Sequence, residues 1–348
     1  MATITHIINP NPRLTKHLVS KNEFAEELLT VVDGGAKGGF EECWNWYSGQ
    51  IRLLGFEPNV AEYKKLKKEI VKAGQRYFPT ALSDKKGRRA LRIYELAAAT
   101  SFLRPNFRFL KRLPSSESFT LKKRISVPTD NLDSIVRSIG LNAVDFIKLD
   151  TQGTELEILR GAKRILRSAL GVTVECAFNP FYEKETTFTD IDRFLKPLGF
   201  SLFNLPTFRY ARTELSVYQG TRIHQNTNPH GQVCWCEALY FRDAADEILH
   251  GKGTKWKRPR ILKLASLMEL FSFQDCAMEL LRVASEAGRL KGDDLKQMFE
   301  FLVPDVDGEE YPYAAYVEYM RATHELDFQK RTEFAKLKRS SKGRRNQS

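Results

Sequence analysis

The run Val144-Asp-Phe-Ile-Lys-Leu-Asp-Thr-Gln-Gly-Thr-Glu-Leu-Glu-Ile-Leu-Arg-Gly-Ala162 joins an apolar stretch to a carboxylate, a glycine turn and an acidic helix start. A strand that ends this way delivers its last side chains to the open edge of an α/β sheet, where ligands bind. A second strand-turn-helix lies upstream in Leu29-Thr-Val-Val-Asp-Gly-Gly-Ala-Lys-Gly-Gly-Phe40. Its glycines let backbone amides approach a ligand, and a helix beginning near Lys37 would offer further unpaired amides to a carboxylate or phosphate. Two such edges in one chain predict a nucleotide-type cofactor with chemistry beside it.

The carboxylates at or near the second edge are Asp150, Glu155 and Glu175, the candidates for positioning and for general acid–base work. Glu175 lies inside an apolar strand, where a carboxylate is costly to bury without a partner. Glu155 and Glu157 are two apart on a helix and cannot share a face. At the first edge, Asp33 precedes the glycines, and Glu57 ends the next strand about 20 residues on, where an acid can accept from both hydroxyls of a ribose. Ser83-Asp84, closing a third strand, suits the amine of an adenine. Gly34, Ala36 and Gly39 also fall on the GxGxxG frame of dinucleotide sites, but this acidic ring fits an adenosine with a cationic centre better than a ligand carrying phosphates. His224 and His230 flank a polar loop suited to a substrate lid or base. Three carboxylates around one edge could hold a divalent cation, although no ligand spacing here is diagnostic.

Taken together, Val-Asp-Gly-Gly-Ala-Lys-Gly-Gly at 32–39, Gly-Phe-Glu-Pro-Asn at 55–59, the run at 147–162 and Val-Glu175 resemble the FkbM family of S-adenosylmethionine-dependent methyltransferases over roughly residues 28–242. The resemblance implies the class I methyltransferase fold, a Rossmann-like α/β architecture with a mostly parallel seven-stranded sheet. It implies O-methylation of a hydroxyl on a sugar, glycan or other small molecule. By position, Gly34, Gly35, Ala36 and Gly38 would cradle the methionine end, Glu57 hold the ribose, Asp84 lie near the adenine and Asp150 face the methyl centre. Ser101 and Asp133 match further recurring positions. The sequence departs from the family at Thr151-Gln152, where Val-Glu is more frequent, so one carboxylate is missing from the edge.

The elements that must position these groups follow from periodicity. Ser20-Lys-Asn-Glu23 has the form of a capping box and predicts a short helix into the first strand. Strands are expected at 30–33, 52–57, 77–82, 144–149, 171–176 and 232–242, with helices at 37–47, 58–73, 130–139, 153–166 (broken near Gly161) and 190–198; residues 87–129 read as irregular or hairpin-like. Repeated βα alternation with apolar strands predicts a mostly parallel sheet covered on both faces. After about Asp243 helical periodicity dominates, notably at 262–270 and 276–287. The expected organisation is a lead-in helix over 1–27, the cofactor-binding domain over 28–242, a helical extension over 243–329 and a basic tail over 330–348.

The formal charge of +12 is distributed unevenly, with eight Lys/Arg against one acid from Lys330 to Ser348. A solvated tail is the simpler reading of that run, although it leaves an RNA methyltransferase as the alternative enzyme. A noncatalytic scaffold on the same fold is the alternative outside enzymes. Five scattered cysteines without a signal-peptide pattern point to a reducing, cytoplasmic setting. No apolar run approaches the ~20 residues that cross a bilayer.

Overall fold

The computed structural model describes residues 6–68, 74–114, 116–214, 231–251, 255–304 and 311–324. His224, His230 and the basic tail lie outside them. The first helix, α1 (Arg13–Ser20), corrects the reading of Ser20-Lys-Asn-Glu23: this box ends a helix instead of starting one. Asn22 is left-handed at φ 59°, and the amides of Asn22 and Glu23 turn back to the carbonyls of Val19 and Leu18, a Schellman-type stop.

β1 (Leu29–Gly34) runs parallel to β2 (Ile51–Phe56), and β2 parallel to β3 (Gln75–Phe78), with α2 (Val60–Lys68) between the last two. The expected third strand breaks after Phe78. Its second half, β4 (Ala81–Leu82), leaves for a separate three-stranded sheet with β5 (Gly87–Tyr94) and β6 (Leu121–Asp130), in the order β4-β6-β5. The short α3 (Phe107–Leu110) lies between β5 and β6, and α4 (Leu132–Ser138) returns the chain to β7 (Phe146–Leu149), parallel to β1. α5 (Glu155–Arg160) and α6 (Lys163–Ser168), parted at Gly161 as expected, lead to β8 (Gly171–Ala177), and α7 (Phe188–Leu195) follows. β9 (Phe200–Asn204), β10 (Thr207–Tyr210) and β11 (Gln232–Arg242) complete the main sheet in the order β10-β11-β8-β7-β1-β2-β3. β11 is antiparallel to β8.

The sheet has eight strands where seven were expected. β9 and β10 both pair with β11, over 239–242 and 232–236, so two short strands fill one edge position. Pro206 stands between them; proline has no amide to give to a ladder.

Alternation along the strands sends side chains to two faces. Val32, Leu54, Ile147 and Val172 pack with Leu132, Leu159 and Leu166 of α4, α5 and α6. Val31, Leu53, Phe146 and Leu239 face the other way, toward α1 and the C-terminal helices. These are α8 (Ala244–Leu249), α9 (Arg258–Leu270), α10 (Gln274–Glu286) and α11 (Gly292–Leu302). α9 is buried throughout from Ile261 to Leu270, as a helix must be when it is sandwiched within a core. Phe271 just beyond it stacks on Phe146 with ring centroids 5.2 Å apart. Two polar groups of α9 tie it to α1 and its neighbours: Ser266 shares hydrogen bonds with Tyr47 and Thr15, and Glu269 accepts from the amides of Leu14 and Thr15, capping the start of α1.

Strand order reverses direction between β1 and β7. The crevice outside the C-terminal ends of these two neighbours is the place where a doubly wound sheet binds its ligand.

Candidate functional site

At this crevice the turn after β1 locks onto the end of β7. The Asp150 amide donates to Gly34 O at 3.0 Å, and Gly35 has φ 100°, a conformation L side chains avoid. A Cβ at Gly35 would lie 2.1 Å from Asp150 O, so only glycine fits. The turn's amides serve the fold more than a ligand. Those of Gly35 and Ala36 donate to Phe56 O at 3.2 and 3.1 Å, and those of Lys37 and Gly39 donate to Gly35 O and Ala36 O. The helix expected over 37–47 is also absent at its start. Gly38 and Gly39 take φ 85° and 91°, outside the helical basin, and only a 3-10 segment, Glu42–Tyr47, forms beyond them. What the loop carries to the crevice is therefore a side chain, Glu41.

Asp33, Lys148 and Thr173 are register partners across β1, β7 and β8 and share one face of the sheet. Lys148 Nζ lies 3.6 Å from Asp33 Oδ1 and 3.9 Å from Glu41 Oε1. These are ion pairs by distance, yet too long for hydrogen bonds. Asp33 Oδ1, both Glu41 carboxylate oxygens, Lys148 Nζ and Thr173 Oγ1 are buried and have no hydrogen-bond partner among the described residues. Burial pushes Glu41 up to about 8. Burial would lower the Lys148 ammonium, but Asp33 and Glu41 outweigh it and the net shift is upward. Sequence reasoning missed both residues; the signal for Lys148 was a lysine inside an otherwise apolar strand.

Glu57 ends β2 and is buried; its Oε1 accepts from the Asn59 amide at 2.7 Å, and burial raises its pKa to about 7. Leu82 reaches Gly34, which brings Ser83-Asp84 to the same edge. The two then part company. Asp84 is exposed, whereas the Ser83 hydroxyl donates to Glu157, which also pairs with Arg89. Ser83, expected from sequence beside an adenine, spends its hydroxyl tying the small sheet to α5.

On the far side of the crevice, Gln152 joins the two principal carboxylates. Its Nε2 donates to Asp150 Oδ1 at 2.9 Å and to Glu175 Oε1 at 2.7 Å. Gln152 is left-handed, at φ 59°, and is held by the Ser101 hydroxyl on its carbonyl and the Tyr182 hydroxyl on its Oε1. Burial, with Asp150 next in weight, raises Glu175 well above the usual carboxylate range. Glu155 has a different task from the acid–base one expected of it. Its Oε1 accepts from the Thr151 amide and hydroxyl, and its Oε2 from the Gly153 amide at 3.0 Å, so it braces the turn that carries Gln152. Asp133 likewise caps α6 through the amides of Arg164 and Ile165. Glu185 gives Oε2 to the amides of Phe181 and Tyr182, fixing the loop above the edge.

Among the described residues no three of His, Cys, Asp and Glu stand where they could hold a metal ion. At the edge itself the reason is Gln152: an amide that donates to both neighbours occupies the position a third carboxylate would need. All five cysteines are free. Among the described residues no helix is long and apolar enough to cross a membrane.

The model of the methyltransferase FkbM domain matches residues 33–202. Among solved structures, a methyltransferase FkbM from Methylobacillus flagellatus KT is 15% identical with a TM-score of 0.34, the match covering 63% of this chain and 44% of that one. The chain thus spans less than half the length of that protein. A SAM-dependent methyltransferase from Anabaena variabilis is 9% identical (TM-score 0.32; 68% and 88% covered), and a TehB-like SAM-dependent methyltransferase from Corynebacterium glutamicum 12% identical (TM-score 0.28; 66% and 87%). No curated protein matches the chain.

Proposed function

With residues 33–202 a methyltransferase FkbM domain on a class I α/β fold, we propose that this protein moves a methyl group from S-adenosylmethionine to a hydroxyl oxygen of a sugar, glycan or other small acceptor. The observation that carries the reading is the bridge of Gln152 between Asp150 and Glu175 at the crevice where Asp33 and Glu57 are also gathered. When bound, S-adenosylmethionine supplies an electrophilic methyl on a sulfonium. The residues present fit such a group: a turn where only glycine is tolerated, a buried acid at the end of β2 for a ribose, and unanswered charges beside the turn. In this assignment Gly34, Gly35, Ala36 and Gly38 shape the cradle, Glu57 takes the ribose hydroxyls, and Asp84 borders the adenine.

Methyl transfer needs in-line approach of the acceptor oxygen, so positioning supplies most of the rate and a base removes the hydroxyl proton. Glu175 is that base and Asp150 its positioning partner. Burial raises the Glu175 pKa well above the usual carboxylate range, and a positive charge bound in the crevice would favour the carboxylate form in which Glu175 can accept the acceptor's proton. Gln152 keeps the two acids at one spacing. The test is turnover of carbon-labelled S-adenosylmethionine with hydroxylated acceptors, reading the labelled methyl by NMR. An O-methyl product, with turnover about 10²–10⁴-fold lower in Glu175→Gln, supports the reading. A labelled N-methyl product would overturn it.

A second reading, an RNA acceptor, gains from one feature. Between residues 85 and 124, the segment that includes β5, α3 and the start of β6, twelve Lys/Arg face two acids. This segment adjoins the catalytic edge through the Ser101–Gln152 bond. RNA binding that falls steeply with salt would favour it; salt-insensitive turnover of a small acceptor would remove it.

A further inference from the structure

We infer that Trp235, backed by Phe208, is the platform for the acceptor and takes the apolar face of a pyranose ring whose hydroxyl meets Glu175. The inference rests on methyl transfer to a sugar hydroxyl being the reaction. It adds two residues, Trp235 and Phe208, that lie outside every motif that suggested that reaction.

The first argument is register. β8 and β11 pair Glu175 with Glu237 and Ala177 with Trp235, and β10 pairs Phe208 with Trp235. Side chains two apart on a strand share a face, so Trp235 and Phe208 stand on the face of the sheet that carries Glu175. They are one step nearer the open edge, since Ala177 is the last residue of β8. Glu175 and Trp235 are diagonal neighbours, which in an antiparallel pair stand about 7–8 Å apart. A six-membered ring laid on the indole brings one hydroxyl to that carboxyl group.

The second argument is how firmly the indole is held, and to what. Phe208 stacks on Trp235 with ring centroids 3.7 Å apart and planes 7° from parallel. Trp235 Nε1 donates to Tyr210 Oη at 3.2 Å, and Tyr210 meets Phe181 edge to face at 5.8 Å. The next residue, Tyr182, gives its hydroxyl to the Gln152 amide that holds Asp150 and Glu175. The indole is thus fixed at one face and at its nitrogen, and its position is coupled to the bridge between the acids. Burial raises Tyr210 to about 12, the Trp235 hydrogen bond opposes the rise, and the Glu175 charge adds to it, so Tyr210 is within electrostatic reach of Glu175.

The third argument is access and chemistry. A cross-strand ring stack by itself stabilises a sheet edge. Here it also adjoins reactive groups: Trp235, Phe208, Gln152, Asp150 and Glu175 are all half-buried, so solvent reaches the indole as well as the acids. An indole face suits the row of C–H groups on one side of a pyranose, an apolar surface with a polar rim. The rim hydroxyls find acceptors in Glu175 and Asp150. An unsubstituted phenol would stack equally well but bring no second hydroxyl to these carboxyl groups.

Saturation-transfer NMR of the full-length protein, with and without S-adenosylhomocysteine, tests the platform. The probes are the methyl pyranosides of glucose, galactose, mannose, rhamnose and fucose, with phenol as the control. At least one pyranoside should bind, with the strongest transfer to the C–H protons of one ring face. Its affinity should fall about 3–10-fold in Trp235→Leu and be largely kept in Trp235→Phe, which retains the stack on Phe208, the fold of both being checked by circular dichroism. Equal pyranoside affinity in Trp235→Leu, no pyranoside bound, or phenol preferred to all of them would overturn the platform. The reaction can fail separately. Trp235-dependent pyranoside binding without a labelled O-methyl product would keep the platform and remove methyl transfer, whereas an O-methyl sugar formed equally well by Trp235→Leu would keep the reaction and overturn the platform.

Discussion

Two lysines are buried at opposite ends of β7, and the chain treats them in opposite ways. Lys263 of α9 lies below the strand, where its Nζ donates to Asp145 at 3.1 Å, to Glu27 at 3.0 Å and to Leu28 O at 3.2 Å. Lys148, at the upper end, is as deeply buried and has no hydrogen-bond partner among the described residues. The same contrast holds for acids. Glu269 caps α1 with three short bonds from Leu14 and Thr15, while Glu41 has none. Charge at the lower end ties α1, α9 and the sheet together through hydrogen bonds; charge at the upper end makes ion pairs at 3.6 and 3.9 Å without hydrogen bonds among the described residues.

The largest expected effect of breaking this contrast is on stability. Lys263→Met should cost about 3–5 kcal/mol, since it leaves Asp145 buried and uncompensated, and thermal unfolding should show it. Lys148→Met also strips Asp33 and Glu41 of a counter-charge, but at 3.6 and 3.9 Å and with no hydrogen bond lost it should cost less. Equal losses would erase the distinction between the two ends.

The next effect is of pH. Burial raises Glu57, Glu155 and Glu269 to about 7 and Glu41 and Glu185 to about 8, from an ordinary value of 4.5. Each folded value lies above the unfolded one, so the native state binds more protons between pH 4.5 and 8. Stability from these groups is present below the unfolded value and is lost as pH rises through 7 to 8, a decline of roughly a few kcal/mol. Melting temperatures measured from pH 5 to 9 should fall. Glu41→Gln should flatten part of that decline at little cost near neutrality, since an amide resembles the protonated acid; a melting temperature that rises toward pH 9 would contradict the assignment.

The smallest effect is at the ribose position. Glu57→Ala should weaken S-adenosylmethionine binding by about 1–3 kcal/mol with the fold intact. Unchanged affinity would take Glu57 out of the pocket.

Much of this was legible in the residues. Strand ends expected at Asp33, Glu57 and Leu149, from apolar runs closed by Gly or acid, fall within one residue of those observed at Gly34, Phe56 and Leu149, and the break at Gly161 follows from a glycine inside a helical pattern. The Ser20 box was misread because the same polar residues serve either end of a helix, and only the packing of Leu14 and Leu18 decides which. β9 and β10 were missed because each is short and draws its register from β11. At the site, the sequence brought forward Asp150 and Glu175 but not their link. Gln152 drew notice only as a missing carboxylate, and its bridging role depends on a left-handed backbone that no pattern announces. Glu155 was placed at the right turn with the wrong task, since the direction of a side chain at a helix start is set by the loop it braces. Glu41 was hidden inside an expected helix.

The measurement that tests the central claim most directly is calorimetric titration of the purified protein with S-adenosylmethionine and S-adenosylhomocysteine, with NAD as the control. Saturable binding of the first two and none of NAD is the predicted result. Binding of NAD, or silence from both adenosyl ligands in folded protein, would contradict it.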